Sequence, residues 1–119
     1  MERITVFTPT YNRRKSLPRV FESLKMQTFR NFIWIIVDDG STDDTESLVD
    51  EFKKKADFKI IYIYQKNAGK HSAINRALQE TTSELFLIAD SDDSFKANAL
   101  EVFIDTWESI PEEERNQYK

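Results

Sequence analysis

The sequence has no cysteine, only two glycines, three prolines and a single histidine in 119 residues. Without thiols there is no disulfide framework and no thiolate metal site, which fits a reducing, cytoplasmic setting. Scarce glycine and proline favour long regular elements over linkers. No apolar run approaches the roughly 18 residues of a membrane span. A strand-like run begins within three residues of Met1, so a signal peptide is not expected. The formal net charge is -4, with no basic stripe or arginine-rich arm, so nucleic acid is not an expected partner. There is no internal repeat and no low-complexity segment. The length suits one domain with a single core.

What is present is alternation. Residues 4–7 (ITVF), 32–37 (FIWIIV), 59–64 (KIIYIY) and 85–89 (LFLIA) read as strands. Pro9 is expected to end the first. The fourth run is unbroken and apolar, as in a strand buried on both faces of a parallel sheet. Lys59 and the tyrosines of the third suggest a sheet edge. Between the strands lie helical patterns. Leu17, Val20, Phe21 and Leu24 follow a Ser16 cap with Pro18 in the first turn. Leu48, Val49 and Phe52 mark a second helix that ends in Lys53, Lys54 and Lys55. Ile74, Ala77 and Leu78 are the expected inner face of a third, over residues 70–79. Leu100, Phe103, Ile104 and Trp107 mark a fourth, stopped by Pro111. One domain is therefore expected over residues 1–110, with a charged tail over 111–119.

A βα alternation implies an α/β fold, a Rossmann-like parallel sheet with helices on both faces. The strand order 3-2-1-4 would place a topological switch point between the first and fourth strands, where such sheets bind ligands. Two acidic strand ends flank that point. Asp38 and Asp39 end the second strand; Asp90, Asp92 and Asp93 end the fourth. A like-charged pair at about 4 Å costs roughly 1 kcal/mol in water and about 4 near a protein surface. Three clustered aspartates therefore suggest a hard divalent cation. The competing reading is that Asp93 or Ser94 caps the next helix and the rest is solvated loop. Asp43 and Asp44 are assigned to helix capping, Asp43 having capping-box spacing to Glu46. Pro9 to Tyr11 would lie between the acidic ends, which two strand spacings set roughly 10 Å apart. That spacing suits a nucleoside diphosphate, with a base N–H on Asp39 and the diphosphate near an ion. Lys70 and His71 stand at a helix start after Gly69, a place for an anion, although a lone histidine is more often structural or simply exposed. Arg13, Arg14 and Lys15 read as a solvated basic turn, with phosphate contact as the alternative.

Five segments occur in a characteristic order: TPTYN at residues 8–12, SLKMQTFRNF at 23–32, VDDGSTDDT at 37–45, NAGK at 67–70 and DSDD at 90–93. Together they resemble the amino-terminal, donor-binding half of family 2 glycosyltransferases of the GT-A fold. The resemblance implies nucleotide contacts from Pro9, Thr10, Tyr11, Asp39, Lys70 and Asp90, with Asp39 on the base. It identifies Asp90-Ser91-Asp92 with the DxD motif, hence Asp92 and Asp90 near a Mn²⁺ or Mg²⁺ cofactor. It further implies a nucleotide-diphosphate sugar donor, UDP-linked by preference, and transfer with inversion to a carbohydrate or lipid-linked acceptor. Bacterial surface polysaccharide synthesis, with membrane association of a longer protein, is the expected setting. In such enzymes the catalytic base and acceptor wall follow this half, and no residue here can be carried over as the base. The expectation is thus a donor-binding fragment, inactive alone and prone to self-association. Two other functions compete: a non-catalytic nucleotide-binding module and a phosphoacceptor signalling domain. The second would want an acidic pair after the first strand, where this chain has TPTYN.

Overall fold

The computed structural model describes residues 2–66, 68–81, 83–91 and 95–111. Eight elements alternate: β1 (Ile4–Thr10), α1 (Leu17–Lys25), β2 (Phe32–Asp38), α2 (Thr45–Lys55), β3 (Lys59–Tyr64), α3 (Lys70–Gln79), β4 (Leu85–Ile88) and α4 (Ala99–Ser109). The four strands form one parallel sheet in the order β3-β2-β1-β4. This is the expected order, and it leaves the carboxyl ends of β2, β1 and β4 side by side.

Strand alternation divides the core between two faces. On one, Ile4, Val6, Phe32, Trp34 and Ile36 meet Val20, Phe21 and Leu24 of α1, Val49 and Phe52 of α2, and Leu100, Ile104 and Trp107 of α4. The Phe21 ring centroid lies 4.2 Å from Phe52 and 6.3 Å from Trp34. Pairs of this kind add about 0.5–1.5 kcal/mol beyond burial. The Trp34 indole N–H donates to Thr8 Oγ1 at 2.9 Å, with both side chains fully buried. On the other face, Phe7, Ile33, Ile35 and Val37 meet Ala73 and Ala77 of α3. At the amino end of the sheet, Arg3 bridges Glu84, before β4, and Glu108, in α4.

Four expectations are corrected. Pro9 does not end β1, which runs on to Thr10 with Pro9 in register with Val37 of β2. The Phe7 carbonyl accepts from Ala89 and the Thr10 carbonyl from Asp39. By alternation the Pro9 nitrogen therefore faces the β4 side, past the last β4 partner at Ile88. A proline there stops the β1–β4 ladder without interrupting the β1–β2 one, so the strand tolerates the ring. Second, β4 is not buried on both faces. It stands at the sheet edge among the described residues, and Ile88 is 44% exposed. Third, Leu78 points away from the core and Ala73 takes its place. Ala73 and Ala77 are four residues apart on one helical face, small enough to bring α3 close to β1 and β2. Fourth, the expected side-chain caps are not made: Ser16 holds the cap position of α1 without a side-chain bond, and neither Asp43 nor Asp44 caps α2 through its side chain. Asp44 holds the cap position at φ 61°, with no side-chain bond to a helix amide.

Candidate functional site

The loops after β1 and β2 are fastened to each other. Asn12, at φ 51°, donates its amide to Ser41 Oγ at 2.8 Å and accepts the Thr42 amide on Oδ1 at 2.8 Å. The Asp43 carboxylate accepts the Arg14 amide at 3.0 Å and the Thr45 hydroxyl at 2.6 Å. Burial raises its pKa; these bonds and the nearby Arg14 charge outweigh that, and the net shift is downward. The Arg14 guanidinium meets the Asp44 carbonyl and Ser47 Oγ. Arg14 and Asp43 are thus braces between loops. With Asn12, Arg13, Lys15 and Ser16 they line a cavity of about 480 Å³ that carries charge of both signs.

The two aspartates ending β2 differ in kind. Asp38 is 1% exposed and accepts the Tyr62 hydroxyl at 2.5 Å and the Ser41 amide at 2.8 Å. Burial first, then this bond and the Asp38 charge, push the Tyr62 phenol well above its ordinary range. Asp38 is therefore an internal fastener. Asp39 is half-buried and reaches across to the segment between β3 and α3. Its Oδ1 accepts from Gln65 Nε2 at 3.0 Å and from the Ala68 amide at 2.6 Å; its Oδ2 accepts the Gly69 amide at 3.0 Å. Burial alone would raise the Asp39 pKa, but these three donors outweigh it and hold the carboxyl below its usual range. Gly69, at φ 92°, makes the turn that presents its amide.

A cleft of about 280 Å³ opens at the switch point between β1 and β4. Pro9, Thr10, Tyr11, Arg13, Asp39, Ala73, Asp90 and Ser91 line it. Five residues singled out in the sequence therefore converge: Pro9, Thr10, Tyr11, Asp39 and Asp90. Tyr11 is 50% exposed at the rim. Thr10 is 3% exposed, and its hydroxyl has no hydrogen-bond partner among the described residues. Asp92 and Asp93 lie outside the described residues, as does the Lys70 side chain, although Lys70 begins α3. His71 is exposed on α3 and is not among the residues lining the cleft. Among the described residues no group of three His, Cys, Asp or Glu side chains could hold a metal ion. Sequence reasoning passed over the donors that occupy Asp39, and over Ala73 as a wall of the cleft. The alanine spacing at 73 and 77 was a legible sign of close helix–sheet approach. Nothing local marked Gln65.

An acidic and aromatic cleft at the switch point of an open parallel α/β sheet defines a class of nucleotide-binding folds. The sequence matches the description "Glycosyl transferase family 2" over residues 5–113, and the chain belongs to that family. Glycosyltransferase GlyA of Streptococcus pneumoniae is 35% identical over 100 residues, covering 84% of this chain and 14% of its own length. Poly(ribitol-phosphate) beta-N-acetylglucosaminyltransferase TarS of Staphylococcus aureus is 33% identical over 110 residues, covering 88% and 19%. The crystal structure of TarS 1-349 in complex with UDP superposes with a TM-score of 0.79 at 30% identity, over 92% of this chain and 32% of that one. The mannosyltransferase PcManGT of Pyrobaculum calidifontis, in complex with GDP-Man and Mn²⁺, superposes at 0.83 and 27% identity, over 92% and 33%. The sheet and its flanking helices are thus a GT-A fold. The chain spans about a seventh to a third of the length of these proteins. Among the described residues no helix is long and apolar enough to cross a membrane.

Proposed function

We propose that this chain is the donor-binding part of an inverting glycosyltransferase and holds a nucleoside diphosphate sugar, by preference UDP-linked, in the cleft between β1 and β4. The observation that carries this reading is the convergence of Pro9, Thr10, Tyr11, Asp39 and Asp90 on that cleft. The buried Thr10 hydroxyl adds to it, because an unsatisfied buried group costs about 1–3 kcal/mol that a polar ligand can relieve. Tyr11 offers a ring for a nucleobase and Asp39 an acceptor for a base N–H. Lys70, at the start of α3 behind Gly69, is assigned to the phosphates.

The donor set at the end of β4 is oxygen only, which fits Mn²⁺ or Mg²⁺. Asp90 lines the cleft, and such ions need only one or two carboxylates when phosphates complete the shell. Asp92, with Asp90, is assigned to hold the cation. When bound, it would neutralise the charge on the diphosphate. Asp39 and Asp90 approach the ligand from β2 and β4, on either side of β1, so base and diphosphate are held by different strands.

The sugar acceptor, a carbohydrate or lipid-linked hydroxyl, would be met by parts of a longer protein. The relatives named for poly(ribitol phosphate) and teichoic acid chemistry support a role in bacterial surface polymers. The isolated chain is expected to bind donor without transferring sugar and to self-associate through the β4 edge. Thermal shift with UDP, GDP and ADP, each with Mn²⁺ or EDTA, tests the reading, since a ligand of the native state alone raises the melting temperature. A shift with UDP that grows with Mn²⁺ is expected; no shift with any nucleotide at millimolar concentration would defeat it.

A further inference from the structure

Gln27 follows α1 and is not among the residues lining the cleft, yet its side chain is 2% exposed and uses both its donors and its acceptor. Nε2 donates to the Ser23 carbonyl at 3.0 Å, within α1, and to the Lys96 carbonyl at 2.8 Å. Oε1 accepts the Leu100 amide at 3.0 Å. Leu100 is the second residue of α4, the position whose amide a helix cap normally satisfies. Asn98, which holds the cap position of α4, makes no side-chain bond to the helix. Gln27 therefore caps α4 from just beyond the end of α1. The neighbouring Thr28 reinforces the junction: its amide donates to the Ala97 carbonyl at 2.8 Å and its hydroxyl to Glu101 at 2.6 Å.

This junction stands just downstream of the acidic end of β4. On the upstream side, the Ala89 amide donates to the Phe7 carbonyl at 2.7 Å, which fixes the chain as it leaves the sheet. Asp90 and Asp92 fall in the stretch between that bond and Lys96. A short stretch fixed at both ends has fewer conformations to lose when its carboxylates gather around an ion. One fixed end comes from the sheet; the other comes from Gln27.

We propose that Gln27 is a positioning residue for cation-assisted nucleotide binding: by capping α4 from the turn that follows α1, it fixes the downstream end of the segment carrying Asp90 and Asp92. The proposal rests on the donor-site reading above. It assigns Gln27 no contact with nucleotide or ion. Its loss should therefore spare the contacts made by Tyr11 and Asp39 and weaken what the ion adds.

Calorimetric titration of UDP into the chain, in Mn²⁺ and in EDTA, reads the two parts separately. Gln27→Leu keeps most of the bulk and removes all three bonds. The expected result is a loss of about tenfold in the affinity gained from Mn²⁺, with EDTA affinity within about twofold of the parent, since the neutral hydrogen bonds removed are together worth that order. Phe52→Leu, which loosens the packing of α2 on Phe21 and leaves the hydrogen bonds of this junction in place, serves as a comparison of lowered stability. It should lower the melting temperature and leave the Mn²⁺ gain intact. Should Gln27→Leu not fold, Gln27→Glu keeps an acceptor for Leu100 and removes the donors to Ser23 and Lys96, and the same loss is expected. A parent chain with a Mn²⁺ gain and a folded Gln27 variant that keeps it in full would overturn the positioning role while the donor site stands. Equal losses in Mn²⁺ and EDTA, matched by Phe52→Leu, would reduce Gln27 to a general stabiliser. A parent chain that binds no UDP at all would overturn the donor-site reading and this one with it.

Discussion

The Gly69 amide lies 3.0 Å from Asp39 Oδ2, so the end of β2 and the turn into α3 share one hydrogen bond at the edge of the cleft. With Ala68 and Gln65 also donating, Asp39 organises the segment that leads to Lys70. A nucleobase would join this arrangement as a further donor to a carboxylate already oriented. Asp39→Ala is therefore expected to weaken UDP and free uridine alike, roughly ten- to a hundredfold, in Mn²⁺ and in EDTA. Calorimetry on both ligands checks this. A variant whose defect vanished in EDTA would place Asp39 on the ion instead.

Gly69 itself offers a cleaner probe. Its φ is +92°, and a Cβ added there would meet nothing within 4 Å. Gly69→Ala should thus cost stability through backbone strain alone, of order 1–3 kcal/mol. Denaturant unfolding would show a lower midpoint with an unchanged slope. An unchanged midpoint would mean that the turn relaxes out of the left-handed region at no cost.

The Trp34–Thr8 bond is sealed inside the larger core half. Thr8→Val keeps the shape and leaves the indole N–H without its acceptor. About 1–3 kcal/mol of stability should be lost, read from the same unfolding curves. A neutral result would require another acceptor for the indole.

Acid stability follows from Asp39 and Asp43. Each carboxyl is held below its ordinary value of 3.8 in the folded chain. A depressed pKa contributes stability that is full above the unfolded value and lost as pH falls through the folded one. Unfolding midpoints should hold steady down to about pH 4 and fall below it. Asp43→Asn should flatten part of that fall. An identical acid profile in the variant would remove Asp43 from the account.

Much of this architecture was legible. The runs FIWIIV and KIIYIY gave their strands because burial and edge position leave opposite marks: uninterrupted aliphatics in β2, lysine and tyrosines in β3. Alternation implied the parallel sheet; the order 3-2-1-4 needed the further premise that three strands run outward and the fourth returns beside the first, and the residues at the switch point came with the family resemblance. The failures share a cause, which is that neighbours decide what a local pattern means. LFLI looks doubly buried, but only one strand pairs with it among the described residues. Asp43 and Glu46 have capping-box spacing, but the Arg14 amide claims Asp43 first. Gln27 sits in a stretch that was recognised as a motif, yet the partners that give it meaning lie 69 and 73 residues away.

Pro9 has a consequence for how the cleft stays open. Its nitrogen faces the side of β1 that β4 vacates after Ile88. With no N–H there, β1 cannot carry its ladder one rung further toward the cleft, either with the chain that leaves β4 or with an extended segment from another molecule. Strand addition over the mouth is thus denied its next rung. The residue that a sequence reader takes as the end of a strand acts instead as a doorstop. It keeps backbone pairing, the least selective kind of protein contact, from closing over the cleft proposed for the nucleotide.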